Sequence, residues 1–135
     1  MIGVESVQFW IFAKIYGVRE GIVPPDPLFR SIMRAASIEA GKAVFAKYCR
    51  SCHGAEGKGD GAGAPKDVHP ANLTDAKWEH GSTDGEIFTT IKTGVPPKFD
   101  MDSWDGRIKD PDIWNVVNYI RTLGPKGAAK PGTKK

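Results

Sequence analysis

Five consecutive residues, Cys49-Arg50-Ser51-Cys52-His53, carry the densest chemistry in the sequence. They spell Cys-x-x-Cys-His, the attachment signature of a c-type haem. The spacing has a geometric reason. Two cysteines three apart on a helical turn point the same way, so each thiol can add to one vinyl group of a single porphyrin. The histidine that follows then lies under the iron and offers it a nitrogen ligand. Other uses of two thiols fit less well. A zinc site would need two more ligands, and His69 and His80 do not form the close histidine pair such sites use. A thioredoxin-like redox pair would follow a strand and open a helix, whereas this pair closes one. A lone disulfide would leave the Gly- and Pro-rich stretches around it unexplained.

A helix must present this motif. Ser37 reads as its N-cap and Glu39 as the first-turn carboxylate, with Ala40, Val44, Phe45 and Tyr48 recurring behind them. The spacing predicts a helix that runs to Cys49–His53 and ends near Gly54, preceded by a short helical piece over 28–36. Residues 54–72 then hold Gly54, Gly57, Gly59, Gly61, Gly63, Pro65 and Pro70. A loop of that length is unusual in a compact domain unless it wraps something.

Thr83–Thr93 predicts a second helix, with Thr83 as cap, Glu86 as its capping-box partner and Gly94 as the stop. Gly94–Lys109 is a second irregular stretch, containing Pro96, Pro97 and Met101. The last helix is predicted to open at Asp110 as cap with Pro111 in the first position. Ile113, Trp114, Val117, Ile120 and Leu123 line its apolar face, Tyr119 lies beside it, and Gly124-Pro125 ends it. No strand and no internal repeat is read.

At 135 residues the chain has room for one domain with an extension. Gly 16 and Pro 10 imply a small core that needs something extra to hold long loops. Two cysteines exclude a disulfide-knit scaffold. The net charge of +3 is unevenly spread. Residues 36–125 carry eleven basic and thirteen acidic groups, and the four lysines of residues 126–135 supply the excess. A nucleic-acid reader would place its charge on the folded domain, so no nucleic-acid partner is expected.

Val4, Val7, Ile11, Ile15 and Val18 make residues 1–23 an amphipathic helix, widened by Phe9, Trp10, Phe12 and Tyr16. Pro24-Pro25-Asp26-Pro27 follows as an extended linker. Such an apolar face calls for a cover: the rest of the chain, a partner subunit or a membrane surface. No stretch reaches the roughly 20 apolar residues of a membrane span. Val7–Val18 also lacks the basic flank and cleavage site of a secretory signal.

From about Ser37 to Gly124 the chain resembles a class I monohaem c-type cytochrome of the bacterial kind. The resemblance rests on Cys49-Arg50-Ser51-Cys52-His53, on Gly41 and Phe45 one turn apart before it, and on Tyr119 within Trp114-Asn115-Val116-Val117-Asn118-Tyr119-Ile120. Thr74–Gly94 followed by Val95-Pro96-Pro97 adds to it. The fold it implies is all-α, a small cytochrome c fold of three to five helices wrapped by long loops around one covalently bound haem c. The implied organisation is an N-terminal helix and linker over 1–35, a cytochrome domain over 36–125 and a disordered Lys-rich tail over 126–135.

The resemblance also implies site residues. Cys49 and Cys52 would anchor the haem, and His53 and Met101 would ligate its iron. The family often shows Met-Pro at the distal position, where this chain has Met101-Asp102. A lone methionine is more commonly core filler, but Asp100 and Asp102 make this a poor core site. His69 and His80 are the alternative ligands, and as loop histidines they read better as solvated side chains. Pro65, twelve residues past His53, is expected to offer the carbonyl that orients its ring, with Pro70 as the spare. Trp78 and Trp104 would either pack or donate an indole N–H to a haem propionate. Lys98 is a candidate propionate or partner contact.

The function so implied is one-electron transfer with no enzymatic step of its own. The protein would be a periplasmic carrier or the cytochrome subunit of a larger redox complex, docking with redox protein partners. It would lie in the periplasm or on the periplasmic side of a membrane, reached through a removed leader or with residues 1–23 as an atypical anchor. The alternative is a labile sixth ligand, which would make a peroxidase or a gas-binding sensor.

Overall fold

Four helices and no strand make up residues 27–125, the residues described in this computed structural model, with side chains from residue 31 onward. The predicted helix over 1–23, nearly all of the proline linker and the Lys-rich tail lie outside the described residues. From Arg34 onward the described chain belongs to one compact unit. The helices are α1 (Pro27–Tyr48), α2 (Arg50–His53), α3 (Asp84–Thr93) and α4 (Asp110–Leu123). Among the described residues, no helix is long and apolar enough to cross a membrane.

One continuous α1 replaces the two pieces expected around Ser37. Ser37 does not cap a helix. Its hydroxyl donates to Asn115 Oδ1 at 2.7 Å and accepts from Asn118 Nδ2 at 2.9 Å. A side chain occupied across the fold has no need to compete with its own backbone, which is what otherwise makes serine a helix starter.

The two later helices start close to where their residues direct. At α3 the Thr83 side chain accepts from Glu86 N–H while the Glu86 carboxylate accepts from Thr83 N–H, a complete capping box. At α4 the N-cap is Lys109 rather than Asp110. Asp110 sits in the first turn, where a carboxylate suits the helix dipole, and it accepts from Lys92 Nζ at 2.8 and 3.0 Å.

The core is small: Phe45, Leu73, Ile87, Ile91, Ile108, Ile113, Val116, Val117 and Ile120. On α4, Val116 rather than Trp114 points inward; Trp114 is 44% exposed and stacks on Phe88 with ring centroids 4.4 Å apart. A nine-residue apolar core is modest for a unit of this size, as its Gly and Pro content led one to expect.

The crossing of α1 and α4 is tight because Gly41 has no side chain. A Cβ there would lie 1.9 Å from the Asn115 carbonyl oxygen and 2.9 Å from Tyr119 Cβ. One turn on, Phe45 packs on Tyr119 with ring centroids 5.3 Å apart. The crossing thereby holds the C-terminal end of α1, and with it the motif that follows.

Candidate haem-attachment site

The backbone carries α1 almost directly into the motif. Cys49 N–H donates to Phe45 O at 2.9 Å, and His53 N–H donates to Cys49 O at 2.9 Å. Cys49 itself has helical angles, so Cys49 and Cys52 fall one turn apart on one face. Gly54 ends α2 with φ +84°, a value few side chains tolerate. Both thiols are free and half-buried. Burial, helped by the neighbouring Cys52, pushes the Cys49 thiol up to about 12.

The glycine-rich loop packs on the motif's own backbone. Gly59 N–H donates to His53 O (2.8 Å), Gly61 N–H to Cys52 O (3.0 Å) and Gly63 N–H to Ser51 O (2.9 Å). These bonds satisfy the carbonyls that α2 leaves orphaned at its end. A glycine stands at every second position from 59 to 63 because the two backbones lie in contact. A Cβ on Gly61 would sit 2.2 Å from Ser51 O, and one on Gly63 would sit 1.9 Å from Ser51 Oγ.

His53 is oriented from the far side of this loop. Its Nδ1–H donates to the Ala71 carbonyl at 3.1 Å. A carbonyl can only accept, so Nδ1 carries the proton and Nε2 keeps its lone pair for a metal. Burial lowers the His53 pKa, against the Ala71 bond that raises it, and the ring is held neutral. Pro65 is therefore not the acceptor: its carbonyl takes the Val68 N–H at 2.9 Å. The loop beyond Pro65 turns back before it meets the ring, and the residue after Pro70 arrives there instead. A backbone carbonyl leaves no mark on residue type, so only position hinted at it.

Met101 is half-buried against the same core that Tyr48 and Cys49 border, although Asp100 and Asp102 on either side are exposed. Its carbonyl accepts from Val95 N–H at 3.0 Å, closing the loop of residues 95–101 at its neck. The following segment is sewn to the end of α3. Ser103 Oγ–H donates to Lys92 O at 2.7 Å, and Trp104 N–H donates to Ile91 O at 3.2 Å. Trp104 meets Tyr48 edge-on at 5.5 Å and lies under the Arg107 guanidinium at 4.5 Å. Trp78 packs against the core with the Arg121 guanidinium 5.5 Å from its ring. His69, His80 and Lys98 are exposed. Among the described residues, no group of three His, Cys, Asp or Glu side chains could hold a metal ion, so a zinc centre has no donors there.

The donor set fits a covalent haem. Two thiols outside any disulfide share one helical face, a neutral imidazole offers Nε2, and Met101 packs against the common core. On an all-α frame with long backbone-locked loops, these features define a c-type cytochrome domain. The family model described as cytochrome C oxidase, cbb3-type, subunit III matches residues 36–120, and the chain belongs to that family.

Relatives carry the same family title. The chain is 38% identical over 87 residues to the cbb3-type cytochrome c oxidase subunit FixP of Sinorhizobium medicae, covering 64% of this chain and 28% of the relative. It is 37% identical over 93 residues to the subunit CcoP of Cereibacter sphaeroides, covering 67% and 29%. A FixP subunit from Azorhizobium caulinodans is 33% identical over 133 residues, covering 90% and 42%. The match thus spans under a third of the first two relatives' length. Among solved structures, the Kuenenia stuttgartiensis reducing HAO-like protein complex is similar with a TM-score of 0.59 at 25% identity, covering 82% of this chain and 54% of the other.

Proposed function

We propose that this chain carries one haem c and passes single electrons through it as the cytochrome portion of a cbb3-type oxidase-like assembly. When bound, the haem supplies a one-electron couple. Cys49 and Cys52 would hold it by thioether bonds and His53 and Met101 would ligate its iron, a pairing that suits one-electron exchange. Trp78 and Trp104 contribute walls of its pocket. Two cysteines in this sequence support one attachment site.

The observation that carries this reading is the His53 ring, fixed by the Ala71 carbonyl one residue past two free thiols on a shared face. The family match and the FixP and CcoP relatives support a redox assembly with partner subunits. Residues 1–23 would supply a contact to such a subunit or to a membrane surface. Thioether attachment of haem in bacteria takes place outside the cytoplasm, which favours the periplasmic side.

A pyridine haemochrome assay with a reduced-minus-oxidised spectrum tests the core of this proposal: it should report one covalent haem c per chain. The oxidised protein should show the weak far-red absorption of methionine-ligated iron and, once reduced, resist carbon monoxide. Absence of covalent haem would end the reading. Rapid carbon monoxide binding at neutral pH would replace the carrier with the gas-binding alternative.

A further inference from the structure

We propose that Gly59 is a positioning residue for the iron-binding histidine, setting the Nδ1 hydrogen bond and through it the reduction potential. The inference rests on His53 being the proximal ligand, as proposed above.

Gly59 touches both partners of that bond. Its N–H donates to the His53 carbonyl at 2.8 Å. On its other side a Cβ would lie 2.3 Å from the Pro70 carbonyl oxygen and 3.3 Å from that of Ala71. The Ala71 oxygen is the acceptor of His53 Nδ1–H. One bare Cα thus sets how near the carbonyl can come to the ring, while the same residue's N–H fixes the histidine backbone. Gly59 also has φ +79°, which a side chain would strain.

The far side of the acceptor is held independently. Leu73 N–H donates to Gly57 O at 2.7 Å, and Asn72 Oδ1 accepts from Thr74 N–H (2.9 Å) and Thr74 Oγ–H (2.7 Å). Ala71 is therefore clamped between Gly59 and the Asn72 turn. A ligand imidazole that donates to a carbonyl gains basicity and favours the oxidised iron. Moving the carbonyl away should raise the potential.

The test compares Gly59→Ala with Gly106→Ala in the holoprotein. Gly106 shares the positive φ, at +73°, but a Cβ there meets nothing within 4 Å, so it reports backbone strain alone. Gly59→Ala should keep its covalent haem and far-red band, raise its midpoint potential and lose protection of the His53 Nδ1–H in NMR exchange. Gly106→Ala should change neither potential nor exchange. If Gly59→Ala does not fold, Asn72→Ala takes its place and should shift potential and exchange in the same sense, with Asn72→Asp restoring both. An unshifted potential with a still-protected Nδ1–H, in Gly59→Ala or in its substitute, overturns the proposal. So does an equal shift in Gly106→Ala. Failure of the underlying reading is separately visible, since the parent protein would then lack the haemochrome signal.

Discussion

The Asn115 carbonyl occupies the space where a side chain on Gly41 would go, 1.9 Å from an ideal Cβ. Neither atom belongs to the motif, yet this contact sets the distance at which α1 passes α4. The obstruction is backbone, which cannot rotate aside as a long side chain would. Gly41→Ala should therefore force the helices apart and lose about 1–3 kcal/mol of stability, read as a lower denaturation midpoint in guanidinium. A variant as stable as the parent would show that the crossing has slack.

Ser37 should be sensitive despite its modest size. Ser37→Ala removes the acceptor of Asn118 Nδ2 and the donor to Asn115 Oδ1 in a half-buried setting. Leaving those amides short of partners should cost about 1–2 kcal/mol. Ser37→Thr keeps the hydroxyl and should recover most of it. Equal loss in both variants would assign the effect to packing rather than to the hydrogen bonds.

Gly85 points the other way. It lies in the first turn of α3, its φ is not positive, and a Cβ there meets nothing within 4 Å. Gly85→Ala restricts the unfolded chain without touching the folded one and should raise stability by up to about 1 kcal/mol. Thermal melts of the two proteins at one pH decide it; a drop in Tm would contradict the open space around this residue.

In the haem-free protein, acid should loosen the domain through His53. Burial holds its pKa below the usual 6.5, so the folded protein binds fewer protons than the unfolded chain just below that pH. By linkage, stability then rises with pH in that window. The contribution is complete above pH 6.5 and is lost as the pH falls from there through the depressed folded value. Denaturation midpoints measured down a pH series should decline from about that point. His53→Gln should flatten the decline in that window; an undiminished slope would place the sensitive group elsewhere.

What the residues disclosed, and what they withheld, divides along a physical line. Thr83 and Glu86 announced α3 because both halves of a capping box lie within one turn of sequence. Cys49, Cys52 and His53 could be read as a motif for the same reason: their spacing is local. The proposal for Met101 draws on position in the chain as well as residue type. Ser37, by contrast, reads as a cap until α4 is in place, because its real partners are 78 and 81 residues away. Ala71 was invisible because the group it contributes is common to every residue. Trp114 and Val116 were exchanged because an apolar helix face is wide, and only the packing of Phe88 shows where it stops.

The buried thiol of Cys49 bears on the order in which the molecule is built. With its pKa pushed to about 12, it offers almost no thiolate once the fold has closed. Its neighbour Cys52 is by then under the Gly61–Gly63 stretch, whose N–H groups are bonded to the Cys52 and Ser51 carbonyls. A porphyrin arriving at the finished domain would meet a blunted nucleophile behind a locked loop. If Cys49 and Cys52 take a haem, ligation would therefore come before Gly59, Gly61 and Gly63 settle, and the closing of that loop would seal a step already taken.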